Sequence, residues 1–519
     1  MLVDSFVTYQ FPPNSSRRQT RDCLAFRVWE ILGVAAICGT YLVTHAVMDA
    51  TDAYTLNTTL PYVIGLLLLA GAFSMARDDA TAVWMPLFWF RVSSAIYFCF
   101  GTAIHTWMNW YTLAATNAFF EATPLRIARF NILSSASILL VLLTSGIAAN
   151  IYRPTRDTKP IESEDRILVW MTVACCTIGY GVKFLLVFPY ETGQFGDLGD
   201  FRLPFMLVGL SLLSYPGLFL LFLNAQRRGG GLYVLAFAFL IADIIQGMVL
   251  FAKVAAMLPL IMACLAFLSR RMTLARAGVA TMAVVGSLVV LQPLIEFGRL
   301  RLEQSYGTIL QGSLSDRRAI LGEYVGVTKN VAVSEESQGA LARIAYINPA
   351  AAAMDMYDSG HGDDTLGAVF WVLMPRVLWD DKPIYDVGAR FNERVSGSAT
   401  SSSRMGYFAE AYYNWGWVGL VLMIPLGLEL FVFSRYAAFV LKSRRWLHLP
   451  AVFLGMQVGL LTDNALVGVA FVSAVIAIGM DFTAEAATKL VQATLRGSGL
   501  RRMSRASGQT RRLGAIRQP

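Results

Sequence analysis

The sequence predicts an all-α fold, a polytopic integral membrane protein of about twelve transmembrane helices with one large external loop, and three observations carry that reading. Composition is the first: 56% of the 519 residues are hydrophobic and 15% are charged, where a water-soluble globular chain carries about 25% charge. Run length is the second. Apolar stretches recur at roughly 17 to 25 residues, which at about 1.5 Å rise per residue matches the hydrocarbon core of a bilayer. The third is charge alternation, because basic residues collect in every second connection, the positive-inside pattern.

In chain order, residues 1–27 form a polar, proline-interrupted arm with Arg17, Arg18, Arg21 and Arg27, and no small-residue cleavage site of a secretory signal follows. Spans are expected at 28–48, 60–76, 81–105, 127–150, 167–190, 203–224, 231–251, 254–269 and 277–298. Arg153, Arg156, Lys159 and Arg166 follow span four, Arg227 and Arg228 follow span six, and Arg270, Arg271 and Arg276 follow span eight. The opposite connections, 49–59, 106–123 and 191–200, are acidic or neutral. Both termini are therefore expected in the cytoplasm, with the loop 299–415 outside. Three further spans are expected at 416–441, 447–462 and 464–480, the last two separated only by Asp463-Asn464 and so either two short spans or a bent hairpin. The tail 482–519 is basic. Anionic headgroups account for that charge, and no nucleic-acid partner is expected.

All six cysteines, Cys23, Cys38, Cys99, Cys175, Cys176 and Cys264, lie in spans or in the arm, which leaves no external disulfide framework and suits core packing. Nine spans before the loop and three after it, without an internal repeat, count against the repeat architectures of secondary transporters. Arg91, Lys183, Asp243, Glu296 and Glu429 fall within or near the ends of apolar runs. A charge at mid-bilayer costs at least about 2.5 to 3.5 kcal/mol, so these groups should face the protein, and Asp243 should pair with one of the cations.

The loop holds most of the external polar chemistry. It is rich in aromatic and aliphatic residues, which argues that it is folded. Residues 316–345 show helical spacing, stopped by Asn348-Pro349, while 366–379 is apolar but too short to span and suits an interfacial or re-entrant segment. Nine arginines and two lysines face about fourteen carboxylates in the loop. Pairing with a neighbouring Asp or Glu is thus the plain reading of any one arginine. Arg376, Lys382 and Arg390 stand out by position: they follow the apolar segment, where guanidinium forks could bind a diphosphate at headgroup depth.

Residues 374–383, Met-Pro-Arg-Val-Leu-Trp-Asp-Asp-Lys-Pro, then Gly388, then 406–419, Gly-Tyr-Phe-Ala-Glu-Ala-Tyr-Tyr-Asn-Trp-Gly-Trp-Val-Gly, resemble the pattern of Wzy-type oligosaccharide repeat-unit polymerases, relatives of the O-antigen ligases. The resemblance covers residues 374–419 and, beyond them, architecture alone, which is similar to that of GT-C-type glycosyltransferases. It implies an enzyme of the bacterial inner membrane that transfers a growing glycan from an undecaprenyl diphosphate carrier to another lipid-linked repeat unit on the periplasmic face. No nucleotide sugar, cofactor or metal is implied. The implied partners are the undecaprenyl-diphosphate-linked oligosaccharide, the bilayer, a flippase and chain-length regulator proteins. O-antigen ligase and lipid-linked oligosaccharide flippase are the neighbouring functions.

The same resemblance implies roles for particular residues. Arg376, Lys382, Arg390 and Arg404 are the candidates to bind the diphosphate, and Arg376, Glu410 and His361 the candidates for catalysis. Asn414, Tyr413 and Trp415 are the sugar-binding candidates. Simpler readings stand beside these. Glu410 and Asn414 share a helical face and suit a helix cap and a satisfied interface polar group; Tyr412, Tyr413, Trp415 and Trp417 suit an interfacial aromatic belt; His361 sits in an acidic stretch with Asp355, Asp358, Asp363 and Asp364 that could be simply solvated or a metal cluster. Asp49 and Asp52 resemble acidic first-loop residues of other lipid-sugar glycosyltransferases.

Overall fold

The computed structural model describes residues 27–109, 123–151, 164–195, 203, 205–269, 273–306, 312–327, 346–367, 374, 387–397, 404–486 and 489. Among the described residues there is no strand, and ten helices are long and apolar enough to cross a membrane. The chain is thus a multi-pass helical membrane protein. Its first nine helices are α1 Val28–His45, α2 Ala50–Asp78, α3 Pro86–Trp107, α4 Pro124–Ile151, α5 Ile167–Glu191, α6 Leu207–Arg228, α7 Gly231–Val249, the shorter α8 Lys253–Ser269 and α9 Ala275–Tyr306. The loop contributes α10 Leu314–Val327, α11 Ile347–Asp358 and α12 Val387–Ser396. After it come α13 Gly406–Trp415, α14 Met423–Lys442, the short α15 Trp446–Leu460 and α16 Leu466–Ala486. Gly406–Lys442 qualifies as one crossing by length, but Gly416 divides it into α13 and α14.

The described residues of the expected spans are largely helical, and several boundaries move for local reasons. Helix α2 starts ten residues earlier than hydropathy alone suggests because Asp49 caps it, its carboxylate accepting from the Thr51 and Asp52 amides at 2.8 Å each. Asn348-Pro349 does not end a helix. It lies in the first turn of α11, where proline's missing N–H costs no hydrogen bond. Helix α10 covers the first part of the predicted 316–345 helix; residues 328–345, and most of the predicted interfacial segment 366–379, lie outside the described residues.

Inward-turned polar groups tie the bundle together. Arg91 makes a two-pronged ion pair with Glu30 of α1, Nε to Oε1 at 2.8 Å and Nη2 to Oε2 at 3.0 Å, with both side chains buried. Gly71 makes room for this pair, since a Cβ there would stand 2.5 Å from Glu30 Oε1. Asp243 pairs with the other cation, Lys183, at 2.5 Å. A second knot joins α1, α2 and α4: Asn131 Nδ2 donates to Asn57 Oδ1 at 2.9 Å and to the Tyr41 hydroxyl at 3.1 Å.

One large apolar core runs through α1 to α8 and α11 to α16. A satellite core built on Phe251, Met257, Leu291, Ile295, Leu302 and Ile320 joins α8, α9 and α10. Arg317 of the loop is buried there, its guanidinium donating to the Gly312 carbonyl at 3.0 Å and the Leu250 carbonyl at 3.3 Å. Its role is to anchor α10.

Helices α15 and α16 form a hairpin. At its base His448 Nδ1 and the Tyr436 hydroxyl both lie 2.6 Å from Asp481 Oδ1. At its tip Thr462 Oγ1 donates to Ser93 Oγ at 2.9 Å, and Ser93 donates to the Gly459 carbonyl at 2.7 Å. Ser93 lies only about a third of the way along the 22-residue α3. The tip therefore stops short of the loop side of the bundle, and α13 descends from that side to meet it.

Candidate functional site

Helix α13 is where the loop enters the bundle. Gly406 opens it at φ +79°, a backbone region that disfavours side chains, and a Cβ there would lie 2.7 Å from the Phe98 ring. The Tyr407 amide donates to the Thr462 carbonyl at 3.0 Å and its hydroxyl to the Val458 carbonyl at 3.0 Å, so the helix starts directly on the hairpin tip. Phe408 packs on Phe98 with ring centroids 4.7 Å apart. Gly416, at φ +58°, ends α13, and the 3-10 segment Gly416–Leu422 folds back along it so closely that a Cβ on Gly419 would come within 2.1 Å of the Ala411 carbonyl oxygen.

Glu410 and Asn414, one helical turn apart, grip a turn of the loop. Glu410 is fully buried; Oε1 accepts from the Thr365 hydroxyl at 2.9 Å, and Oε2 accepts from the Leu466 amide at the start of α16. Asn414 Oδ1 takes the Thr365 and Leu366 amides at 2.6 and 3.1 Å, while its Nδ2 donates to Thr365 Oγ1 at 2.7 Å. Both side chains spend their polar atoms on protein partners: one carboxylate and one amide hold loop, hairpin tip and α13 in a fixed relation.

Tyr412 and Tyr413 leave the same helix about 100° apart, and each receives an arginine. On one side Arg129 of α4 donates to the Tyr412 hydroxyl at 2.5 Å and pairs with Asp358, which also accepts from Tyr412 at 2.8 Å. One turn away Arg126 pairs with Asp355 at 3.0 Å. The spacing matches, since Arg126 and Arg129 lie three residues apart on α4 and Asp355 and Asp358 three apart on α11. Burial raises the Asp355 carboxyl above its ordinary value, against the opposing pull of Arg126 and Arg129.

On the other side Arg394 of α12 donates to the Tyr413 hydroxyl at 2.6 Å and lies 3.4 Å from Asp363, which pairs with Arg390 at 2.8 Å. Four guanidiniums and three carboxylates thus flank the end of α13. The arginine side chains are 32 to 43% exposed, and ion pairs that wet contribute about 0 to 1 kcal/mol each. A diphosphate, with more charge and more acceptor oxygens than a carboxylate, can displace such partners. Deeper in, Arg404 lies 3.6 Å from the buried Asp463 at the hairpin tip, beside Tyr346, whose ring meets that of Tyr97 edge-on at 5.3 Å.

The remaining sequence-derived candidates fall as follows. Arg376 and Lys382 lie outside the described residues. His361 is exposed, with Nδ1 3.1 Å from Ser359 Oγ. Among the described residues no group of three or more His, Cys, Asp or Glu is placed to hold a metal ion. Tyr412 and Tyr413 are buried and engaged by arginines, so they do not form an aromatic belt, whereas Trp415 and Trp417 are 45 and 41% exposed. Arg126, Arg129 and Asp463 were not anticipated as site residues. Two arginines at the loop-side end of a span run against the positive-inside rule, and that departure was the available signal.

No family model, no curated protein and no solved structure matches the chain.

Proposed function

We propose that this protein is a membrane glycosyltransferase that polymerises undecaprenyl-diphosphate-linked oligosaccharide repeat units into a surface polysaccharide. In this reading α1 to α9 and α14 cross a bacterial inner membrane while α15 and α16 enter it as a hairpin that returns to the same side, with both termini cytoplasmic and the loop periplasmic. The observation that carries it is the band of Arg126, Arg129, Arg390 and Arg394 around Tyr412 and Tyr413, at the depth where the loop meets the membrane helices. The resemblance of residues 374–419 to the Wzy-type pattern adds to it.

The chemistry follows from the leaving group. The acceptor hydroxyl oxygen attacks the anomeric carbon of the donor, the bond from that carbon to the diphosphate oxygen breaks, and the electron pair leaves with the lipid diphosphate. Guanidiniums placed at the developing charge lower that barrier. The acceptor proton goes to a base, and Asp355, Asp358 and Asp363 stand among the arginines in reach of the same surface. Once the diphosphate takes over an arginine, the displaced carboxylate is free to accept that proton.

The test is the length distribution of lipid-linked glycan in cells lacking the gene and complemented with wild type, Arg129→Ala or Arg390→Ala. The expected result is loss of long chains, with single units still accessible on the outer face. Single units trapped on the cytoplasmic face would mean a flippase, and long chains left on undecaprenyl diphosphate would mean a ligase.

A further inference from the structure

Helices α5, α6 and α7 line a half-open cavity of about 440 Å³, and none of the band's arginines is among its lining residues. Its volume falls in the range of roughly 300 to 1,000 Å³ typical of small-molecule sites. Helix α6 forms the floor, where Asn224 Nδ2 donates to Thr172 Oγ1 at 2.6 Å. The walls, α5 and α7, are pinned together at one end: Tyr180 stacks on Phe239 at 4.2 Å, and Asp243 accepts from Lys183 at 2.5 Å and from the Tyr180 hydroxyl at 2.9 Å. From this pin the cavity runs between the walls to Arg228 in the last turn of α6.

The orientation is set by contacts. Beyond the pin, the end of α5 at Glu191 meets Arg317 of the loop helix α10 at 3.5 Å, so the pinned end faces the loop and Arg228 faces the opposite surface. The lining on α5 extends from Val169 to Gly181, a rise of about 18 Å. One leaflet supplies about half of a 30 Å hydrocarbon core. The cavity is therefore about one leaflet long and apolar along its length, with its rim at Val173 and Leu235 half exposed. Among the described residues its one charged lining residue is Arg228, which is exposed.

We propose that this slot binds one acyl chain of an anionic phospholipid from the leaflet opposite the loop, with the lipid phosphate on the Arg228 guanidinium. Apolar walls of leaflet length take the chain, and the planar fork at the mouth takes the phosphate. The positive charge of Arg228 at the mouth favours a headgroup of net negative charge. The inference is independent of the glycan chemistry, because it uses none of the arginine band.

The test uses the full chain in nanodiscs of phosphatidylcholine doped with phosphatidylglycerol, with bound lipid counted by native mass spectrometry. Wild type is expected to retain one phosphatidylglycerol selectively. Arg228→Gln should weaken that retention about tenfold, the equivalent of one charge-assisted bond. Val173→Trp, which fills the slot from its rim, should abolish it while the thermal midpoint in pure phosphatidylcholine stays unchanged; Leu235→Trp serves should that midpoint fall. Equal retention of phosphatidylcholine, a polyprenyl phosphate held in place of phosphatidylglycerol, or undiminished retention in the tryptophan variant would each overturn the proposal.

Discussion

The Glu410 carboxylate accepts the backbone amide of Leu466, so a side chain at the end of the loop caps the first turn of the last long helix. The same carboxylate holds Thr365. A short polar contact thereby joins three stretches of chain that lie far apart in sequence, inside a region where an unmet amide costs about 1 to 3 kcal/mol.

Glu410→Ala should leave both the Leu466 amide and the Thr365 hydroxyl without their acceptor and lower stability by about 2 to 4 kcal/mol. Glu410→Gln keeps one acceptor oxygen and should lose about half as much. Thermal unfolding of the purified protein in detergent ranks the two; equal losses would mean that the carboxylate does not bridge.

Glu30→Ala strands Arg91 in the bundle interior. Removing one partner of a buried pair typically costs about 3 to 5 kcal/mol, which should abolish accumulation of folded protein at the membrane. Replacing both residues with methionine should recover most of that loss, and the yield of monodisperse protein on size-exclusion chromatography measures it.

Gly419→Val places side-chain carbons where the Ala411 carbonyl already lies 2.1 Å from a bare Cβ. The 3-10 segment must then move off α13. Overpacking of this kind costs about 1 to 3 kcal/mol, and because the obstacle is backbone, Gly419→Ala should already cost most of it. Gly181→Ala, which meets open space, is the control and should fall by no more than about 1 kcal/mol.

Arg129→Ala and Tyr412→Phe touch the same carboxylate, Asp358, and their effects on glycan length should not add. Arg129→Ala is expected to shorten the glycan strongly and Tyr412→Phe weakly, with the double variant no worse than Arg129→Ala alone. Strict additivity on gel profiles would show that the three groups do not act as a unit.

Much of this fold was legible from hydropathy because crossing a bilayer demands long apolar helices, and lipid leaves few other options. Asp243 could likewise be matched to a cation, since an unpaired intramembrane charge is so costly. Helix α13 was harder to place. Its residues, Tyr407, Phe408, Tyr412 and Tyr413 among them, are as amphipathic as an interfacial belt, and only the tertiary contacts with Phe98 and Thr462 distinguish an inserted helix from one lying at the surface. Arg126 and Arg129 carry little sequence signal of their role for a similar reason. Their partners, Asp355 and Asp358, lie more than 200 residues away in the chain, and no local spacing announces such a pairing. Hydropathy does not reach the start of α2 because it weighs side chains, whereas Asp49 acts through the backbone amides.

Eight consecutive residues of α13, Gly406 to Tyr413, are buried, on a segment that belongs by sequence to the edge of a surface loop. Connecting segments ordinarily trade their amide hydrogens with solvent first, and helices in the middle of a bundle last. Here the usual order is inverted. In hydrogen–deuterium exchange the amides of Tyr407 to Tyr413 should rank among the slowest of the molecule, slower than those of the lipid-facing α9, so that the protein keeps its longest memory of protonation at the point where outside and inside meet.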